Sequence, residues 1–496
     1  MFFVIWTMQR IGVIGSGFAG LAAAAVLAKA GREVHVYEKN EMPGGRARVF
    51  HAAGFTFDMG PSWYWMPEVF EEFFQHFGHT TADFYELKRL DPSYKVVFGP
   101  GDEVDLPADY DQLRILFESI EKGSAQKLDK FLEEAEYKYK TGMQEFVWKP
   151  GESWMEFMEW KVIRSLFKLD MLNSLSNQVR KSFSNPRLIK ILEFPVLFLG
   201  ATPQKTPALY SLMNYADLKL GTWYPMGGMY KIIDAFVRIG KEMGVQFHNN
   251  QEVIRIHHKG NMATALETKS GIHAFDAIIA AADYHHVDRD LLPEELSNYS
   301  EKYWNSRVLA PSSLLFYLGI DKKIPGIKHH NLFFDEDFDA HAEEIYTSHS
   351  WPKNPLFYMC APSVTDSTVA PPDKENLFIL IPVSTRLTGD DESVRDQYLN
   401  IVFNRLKEVK NIDLEKHIVY KRSYGISDFK SDYHAFQGNA YGLANTLSQT
   451  ALLKPAMRSK KLKNLYFAGQ LTLPGPGMPP SIISGRMAAH SIIKNL

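Results

Sequence analysis

Short apolar runs and one long apolar stretch alternate at the start of the chain. Residues 11–14 read Ile-Gly-Val-Ile, an Ala-rich stretch runs from Phe18 to Ala30 before Gly31, and residues 33–37 alternate polar and apolar side chains. Short apolar runs bounded by glycine are typical of strands, whereas the Ala-rich stretch is long enough for a helix. The pattern therefore predicts a strand, a helix and a second strand in succession.

The same patterns recur later in the chain, so one domain draws its elements from separated stretches. These later predicted helices and strands cover residues 230–243, 245–248, 253–256, 277–283, 465–468 and 481–493. With the first unit they predict an α/β fold in which residues 1–62, 224–299 and 455–496 form a nucleotide-binding domain. Residues 63–223 and 300–454 mix helical and strand-like patterns, and we expect them to form a discontinuous second domain that carries the substrate.

The turn between the first strand and the first helix has the spacing of a nucleotide-binding loop. Gly15, Gly17 and Gly20 form Gly-x-Gly-x-x-Gly, and Glu38 ends the second strand about twenty residues later. Gly15 permits a tight turn, Gly17 lets a pyrophosphate approach the backbone, and Gly20 lets helix and strand pack closely. The helix start offers N–H groups to phosphate, and Glu38 is placed to accept hydrogen bonds from a ribose. The motif predicts a dinucleotide site.

A second pair of glycines indicates which dinucleotide binds. Gly44-Gly45-Arg46 follows shortly after Glu38, where an NAD site has no need for it. A planar guanidinium suits phosphate oxygens, and an extended FAD would lay its pyrophosphate beside such a turn. The Gly/Pro-rich residues 469–480 lead into the last predicted helix and suit the flavin ring and its ribityl chain. The residues thus predict FAD.

Composition and charge exclude several classes of protein. With 496 residues the chain is too long for one core, and a net charge of −3 gives no reason to expect nucleic acid. The single cysteine, Cys360, cannot form an internal disulfide and suits a reducing cytoplasm. No stretch reaches the ~18 apolar residues that span a bilayer, and residues 1–8 lack the features of a signal peptide. Translation starts at Met1 or at Met8.

Together these motifs resemble the bacterial-type carotenoid desaturases. The glycine motif, Gly44-Gly45-Arg46 and the C-terminal loop stand in the family's order along nearly the whole chain. Further segments that carry the resemblance are residues 57–62, 223–229, 361–366 and 439–444. The chain is most similar to the phytoene desaturases of the flavin amine-oxidase-like superfamily, although Gln470 stands where many amine oxidases have an acidic residue.

The resemblance implies a fold, a cofactor and an activity. The implied fold is a Rossmann-like FAD-binding domain of the glutathione-reductase/amine-oxidase type with a discontinuous substrate domain. The implied reaction oxidises CH2–CH2 to CH=CH in a C40 polyene and takes phytoene towards lycopene. The cofactor-binding residues carried over from the family are Gly15, Ser16, Gly17, Phe18, Ala19, Glu38, Lys39, Gly45, Arg46, Gly60, Pro61, Ser62, Val253, Gly469, Met478 and Pro479. The exact carotenoid, the number of steps, the electron acceptor and the oligomeric state stay open.

The chemistry of such a substrate limits what the protein has to supply. A saturated carbon beside an isolated double bond is a very weak acid, so we expect hydride to leave towards flavin N5 and a proton to follow from the neighbouring carbon. Aromatic surroundings are dry and tolerate transient positive charge, and we expect some of Trp63, Tyr64 and Trp65 to border the substrate path. If residues 153–158 correspond to the family's acid/base segment, Glu156 is the candidate base; the alternative is a solvated helix glutamate.

Paired histidines raise the question of a metal site. The pairs are His257-His258, His285-His286 and His329-His330. Neighbouring residues on a strand point to opposite faces, and no cysteine or carboxylate set at ligand spacing accompanies the pairs. We therefore expect no metal.

An insoluble substrate predicts contact with a membrane. Residues 161–172 form a helical pattern with one apolar face, beside which lie Lys161, Arg164 and Lys168. Such a helix lies in an interface and is attracted to anionic lipid; alternatively, its apolar face packs on the second domain. Residues 194–199 are a second candidate for lipid contact, or part of the core. We expect a cytoplasmic protein bound peripherally to the inner face of the membrane.

Three other functions compete with phytoene desaturation. A later-step desaturase would act on a hydroxylated or cyclised carotenoid, and a flavin oxidase would act on an amine or a porphyrinogen. A non-enzymatic prenyl-lipid carrier would share the architecture without a flavin, but the intact Gly44-Gly45-Arg46 turn argues against it.

Overall fold

The computed structural model describes residues 8–149, 173–195, 200–450 and 453–496. The α-helices in these ranges are α1 (Phe18–Lys29), α2 (Pro67–His76), α3 (Tyr110–Ile120), α4 (Ser124–Thr141), α5 (Leu175–Ser182), α6 (Pro186–Glu193), α7 (Leu212–Tyr215), α8 (Tyr230–Glu242), α9 (Tyr284–Arg289), α10 (Glu301–Asn305), α11 (Phe338–Tyr346), α12 (Glu392–Lys410), α13 (Ile426–Tyr433) and α14 (Met478–Asn495). The strands are β1 (Arg10–Ile14), β2 (Glu33–Tyr37), β3 (Val49–Ala52), β4 (Phe55–Asp58), β5 (Leu87–Arg89), β6 (Tyr94–Gly99), β7 (Asp102–Leu106), β8 (Trp223–Pro225), β9 (Gln246–His248), β10 (Val253–Lys259), β11 (Met262–Thr268), β12 (Gly271–Ala274), β13 (Ala277–Ala280), β14 (Ser312–Ile320), β15 (His330–Phe333), β16 (Phe357–Cys360), β17 (Glu375–Val383), β18 (Ile418–Tyr424) and β19 (Leu465–Phe467).

A five-stranded parallel sheet joins the three stretches that are predicted to form the nucleotide-binding domain. Its strand order is β19-β13-β1-β2-β9, so strands from residues 1–62, 224–299 and 455–496 lie in one sheet. Both α8 and α14 pack on α1. The predicted succession of strand, helix and strand at the N-terminus is confirmed, because each of these elements is made of local, strongly patterned sequence.

The last helix begins earlier than its pattern predicts. It starts at Met478 rather than at residue 481, and its first turn contains Pro479 and Pro480. Proline is compatible with a first turn because no intrahelical acceptor is available there for an N–H group. The start of α14 therefore reaches into the Gly/Pro-rich loop.

A seven-stranded mixed sheet forms the centre of the remaining structure, with the order β18-β14-β17-β16-β15-β6-β7. Side chains of a strand alternate between its two faces. Leu314 and Phe316 pack in one core cluster with Val402 of α12, whereas Leu315 and its antiparallel partner Leu380 line a cavity on the other side. The sheet thus separates a conventional core from an apolar cavity wall.

Within the described ranges, every helix is too short or too polar to cross a lipid bilayer.

Candidate functional site

A cavity of about 770 Å³ lies against the carboxyl end of the parallel sheet. Residues just beyond β1, β2, β13 and β19 line it, namely Gly15, Glu38, Ala281 and Ala468. Open parallel sheets bind ligands at this edge because strand ends, turns and helix starts meet there. The cavity continues along the mixed sheet, past Ser313 and Leu315 of β14.

All sixteen predicted cofactor residues line this one cavity. They are Gly15, Ser16, Gly17, Phe18, Ala19, Glu38, Lys39, Gly45, Arg46, Gly60, Pro61, Ser62, Val253, Gly469, Met478 and Pro479. The structure therefore brings together segments that are hundreds of residues apart in the chain. That these residues hold FAD stays a prediction. Whether they suit FAD depends on the shape and the polar groups of the cavity.

The glycines around the first turn leave an open cradle. Gly15 has a φ of +92°, which a side chain would strain, and a Cβ on Gly17 would meet no described atom within 4 Å. A Cβ on Gly45 would lie 3.2 Å from the Cα of Gly17, so the two glycine turns face each other closely. Gly17 precedes α1, whose first N–H groups receive no side-chain cap from the described residues. This cradle fits a pyrophosphate.

Glu38 is held rigidly at the end of β2. Its carboxylate accepts hydrogen bonds from the backbone N and hydroxyl of Ser16, at 3.0 and 2.6 Å, and from the backbone N and Nδ2 of Asn40, at 2.9 and 3.0 Å. Four such bonds use the acceptor capacity of a carboxylate. A ribose hydroxyl at this position would therefore replace one of the two side-chain donors.

Arg46 lies in the cavity wall without an ion-pair partner among the described residues. Its Nη2 donates to the backbone O of Asn439 at 3.1 Å, its guanidinium stacks over Tyr433 at 5.1 Å, and its Nε has no described acceptor. Burial lowers the pKa of Arg46, and the charge of Asp283 opposes that shift. A half-buried guanidinium that lines the cavity and has no ion-pair partner among the described residues fits an anion, as the predicted contact with a pyrophosphate requires.

Asn439 connects Arg46 to the C-terminal loop. Its Oδ1 accepts from Nε2 of Gln470 at 2.8 Å and from the N of Gly442 at 2.9 Å. Nothing in the local sequence pattern around Asn439 marks it as part of a site, since its role depends on a loop and a turn far away in the chain. The one sequence signal that included Asn439 was the resemblance of residues 439–444 to a segment of the carotenoid desaturases.

The other arm of the cavity is apolar. Trp63 and Trp65 line it, whereas Tyr64 is fully buried in the core and its hydroxyl bonds that of Tyr85. That the two tryptophans border a substrate path stays a prediction. Further apolar lining residues that the sequence did not single out are Tyr139, Met143, Val147, Leu209, Leu212, Met213, Leu315, Phe378 and Leu380. A polar cradle and an apolar arm in one cavity suit a cofactor with charged phosphates beside a hydrocarbon substrate.

Two of the three histidine pairs do not follow the argument from strand geometry, and one of them, His285-His286, lies in helix α9 rather than on a strand. His329 precedes β15 and His330 begins it, and their rings lie 4.5 Å apart beside Cys360, with donor atoms of all three residues within 4.8 Å of one another. Burial lowers the pKa of His329 to about 3 and raises that of Cys360 to about 12, so both side chains are neutral at pH 7. Two adjacent histidines thus converge, although we expected divergence; the expected absence of a metal stays a prediction.

Several predicted residues lie outside the described ranges. They are Glu156 and the three basic residues Lys161, Arg164 and Lys168. Of the second candidate for lipid contact, Phe194 is described and lies in the core, with its ring 5.2 Å from Tyr94.

Comparisons with known proteins agree with this geometry. The family model of the flavin containing amine oxidoreductases matches residues 18–493. A carotenoid 3,4-desaturase of Haloarcula japonica is 38% identical over 490 residues, 98% of this chain and 99% of its own length. A 4,4'-diapophytoene desaturase (4,4'-diaponeurosporene-forming) of Staphylococcus aureus is 32% identical over 499 residues, again 98% and 99% of the two chains.

Solved structures share the fold at low sequence identity. An oxidoreductase from Methanosarcina mazei superposes with a TM-score of 0.64 at 16% identity and covers 98% of this chain and 100% of its own. A putrescine oxidase variant superposes with a TM-score of 0.63 at 13% identity, covering 98% and 99% of the two chains.

Proposed function

The chain belongs to the flavin-containing amine oxidoreductases, as a carotenoid desaturase among them, and from that premise we propose that it introduces C=C bonds into a C40 polyene and takes phytoene towards lycopene. It is an FAD-dependent oxidoreductase. The observation that carries the proposal is the continuity of the glycine cradle around Arg46 with the apolar arm beyond Trp63 in one cavity. A long hydrocarbon can lie in that arm and reach a cofactor held in the cradle.

Bound FAD supplies the hydride acceptor. For its pyrophosphate the chain offers the start of α1 and the guanidinium of Arg46, which lines the cavity. At the end of β2, Glu38 would accept a ribose hydroxyl in place of its bond from Ser16 Oγ or from Asn40 Nδ2. The C-terminal loop from Gly469 onwards closes over the same cavity and is anchored by the bond from Gly469 N to Ser484 Oγ, 2.9 Å.

The apolar arm excludes water from the reacting part of the substrate. Trp63, Trp65 and Phe378 present aromatic surfaces to it. Aromatic faces attract cations, so they favour the positive charge that a hydrocarbon acquires when hydride has left and a proton has not. For that proton we propose Glu156 as the acceptor, because it lies in the segment that resembles the family's acid/base segment.

A later-step desaturase is the second candidate. The Haloarcula japonica relative is a carotenoid 3,4-desaturase, and it is more similar to this chain than the diapophytoene desaturase is, at 38% against 32% identity. This favours a substrate in which earlier desaturation has already converted some single bonds into double bonds. The two candidates share cofactor, cavity and chemistry, and they differ in which bond of the polyene is presented.

Peripheral attachment to the inner face of the cytoplasmic membrane completes the proposal. A carotenoid dissolves in lipid, and residues 161–172 combine an apolar face with Lys161, Arg164 and Lys168. An interfacial helix of this kind would place the enzyme at its substrate's source.

The pigments of a bacterium that accumulates phytoene test the proposal. Expression of this chain should convert colourless phytoene into lycopene, identified by separating the pigments and recording their absorption bands. A parallel host that accumulates lycopene or its hydroxylated derivatives tests the second candidate. Persistent phytoene in the first host together with a longer polyene in the second would replace the first candidate by the second. Unchanged pigments in both hosts, with FAD bound to the protein, would reject both.

A further inference from the structure

A lysine is buried in the wall of the cavity where the C-terminal loop passes. Lys454 is 5% exposed, and its Nζ donates to Oδ1 of Asn445 at 2.9 Å. The same Nζ lies 3.1 Å from the position that a Cβ on Gly475 would occupy. Lys454, Asn445 and Gly475 all line the cavity. The amine therefore faces the Gly/Pro-rich loop that is predicted to hold the flavin ring.

Lys454 has no ion-pair partner in the part of the chain that the structure describes. Burial lowers its pKa to about 8, and no neighbouring charge adds to or opposes that shift. The amine is thus still mostly protonated at pH 7, and it carries a positive charge that no carboxylate compensates. Buried charges are normally paired, so an unpaired one facing a ligand cavity indicates a negative charge on the ligand.

Arg46 is the second unpaired cation of this wall, and its surroundings differ. It contacts Asn439 and Tyr433, and the phosphates are assigned to it and to the first glycine turn. The Nζ of Lys454 instead bonds Asn445 and lies beside Gly475 of the Gly/Pro-rich loop. Two separate cations therefore call for two separate negative regions of the ligand.

We infer that Lys454 stabilises the negative charge that the flavin ring gains when it accepts a hydride. A hydride carries two electrons and one proton, so a neutral ring that takes it up ends with one negative charge, while the substrate keeps one positive charge until its proton leaves. A fixed cation beside the ring lowers the free energy of that product and favours hydride transfer. The inference rests on the proposed function, since it requires FAD in this cavity.

Sulfite measures this charge without the carotenoid. It adds to N5 of the oxidised ring, bleaches the yellow absorption and leaves the ring negatively charged, so a nearby cation raises its affinity. In the FAD-loaded protein, Lys454→Met should weaken sulfite binding by about tenfold or more, whereas Lys454→Arg should keep it within about threefold. The reduction potential of the Lys454→Met flavin should fall in parallel.

Lys95→Met is the matched control. Lys95 is also 5% exposed, but it pairs with Glu103 at 2.7 Å and does not line the cavity. Its removal should leave the sulfite affinity unchanged.

Equal sulfite affinity in wild type and in yellow Lys454→Met protein would overturn the inference. An effect confined to the affinity for oxygenated carotenoids would also overturn it, because the amine would then serve substrate recognition. If Lys454→Met fails to fold, Lys454→Gln gives the same comparison. A wild-type protein that cannot be loaded with FAD would instead refute the function on which the inference rests.

Discussion

Gly485 of α14 packs against the backbone of Ala19 in α1. A Cβ on Gly485 would lie 2.1 Å from the carbonyl O of Ala19 and 3.0 Å from its Cα. The two helices approach this closely because the glycine has no side chain, and this contact sets the start of α14 beside the first glycine turn. The C-terminal loop and the N-terminal motif therefore share one cavity through a contact that joins the two ends of the chain.

Gly485→Ala should destabilise the protein through this contact. The added methyl group forces α1 and α14 apart, and such overpacking costs about 1–3 kcal/mol of unfolding free energy. Denaturant unfolding of the FAD-loaded protein measures the change. Lys494→Ala, at an exposed position of the same helix, is the control and should have little effect. Equal stability of the two variants would show that the helices do not depend on close approach.

Arg46→Met should weaken FAD binding. The change removes a guanidinium that lines the cavity and has no ion-pair partner among the described residues. The phosphates therefore lose a charge-assisted hydrogen bond worth about 2 kcal/mol, or about thirtyfold in dissociation constant. Titration of the apoprotein with FAD, followed by flavin fluorescence, gives the constant. Arg255→Met replaces an exposed arginine of β10 and should bind FAD as the wild type does. Identical constants for both variants would remove Arg46 from the site.

Glu156→Gln should slow desaturation while FAD content stays normal. If the carboxylate accepts the substrate proton, its loss reduces the rate by about a hundredfold, as for other general bases. The rate of flavin bleaching by a carotenoid in the absence of oxygen is the measurement. Glu159→Gln alters a neighbouring glutamate of the same segment. The same rate in both variants would mean that the proton leaves by another route.

Reversal of Lys161, Arg164 and Lys168 to glutamate should abolish flotation with anionic liposomes. Each basic residue near a charged surface contributes about 1 kcal/mol to binding, so three reversals remove the attraction and add repulsion. FAD content should not change. The control reverses three exposed lysines of the described surface, Lys122, Lys130 and Lys269. Flotation that survives the first reversal would reject residues 161–172 as the anchor.

Asp217 makes the stability depend on pH. It is 1% exposed, accepts hydrogen bonds from the Tyr94 hydroxyl at 2.8 Å and from Thr222 Oγ1 at 3.3 Å, and burial raises its pKa to about 7. The folded protein keeps this proton up to about pH 7, whereas the unfolded chain releases it near pH 4. The contribution of protonated Asp217 to the free energy of unfolding is therefore complete below about pH 4, and it is lost as the pH rises to about 7.

Asp217→Asn removes this dependence and keeps the shape of the side chain. Between pH 5 and pH 8 the wild type should lose about 3 kcal/mol of unfolding free energy relative to the variant, measured in urea. Asp129→Asn is the control, because the pKa of Asp129 is lowered by the hydroxyl of Tyr110 and by Arg114 against the opposing effect of burial, and it does not titrate in this range. Parallel pH profiles for wild type and Asp217→Asn would show that Asp217 is ionised in the folded protein.

Local sequence was sufficient for the first turn and its neighbours. Gly15, Gly17, Gly45 and Arg46 lie where their spacing predicts, because a strand, a tight turn and a helix start involve only residues close together in the chain. The beginning of α14 was placed three residues late, since prolines break most helices but fit a first turn.

Long-range packing decided the rest of the site. Lys454 lines the cavity beside the C-terminal loop, and Asn439 supports the cavity wall by bonding both Arg46 and Gln470. Outside the cavity, His329 and His330 converge because β15 begins between them and pairs with the strand that carries Cys360. Such contacts depend on which strands pair and on how closely helices approach. The free energies of strand pairing and helix packing are summed over the whole fold, so a short stretch of residues does not determine them.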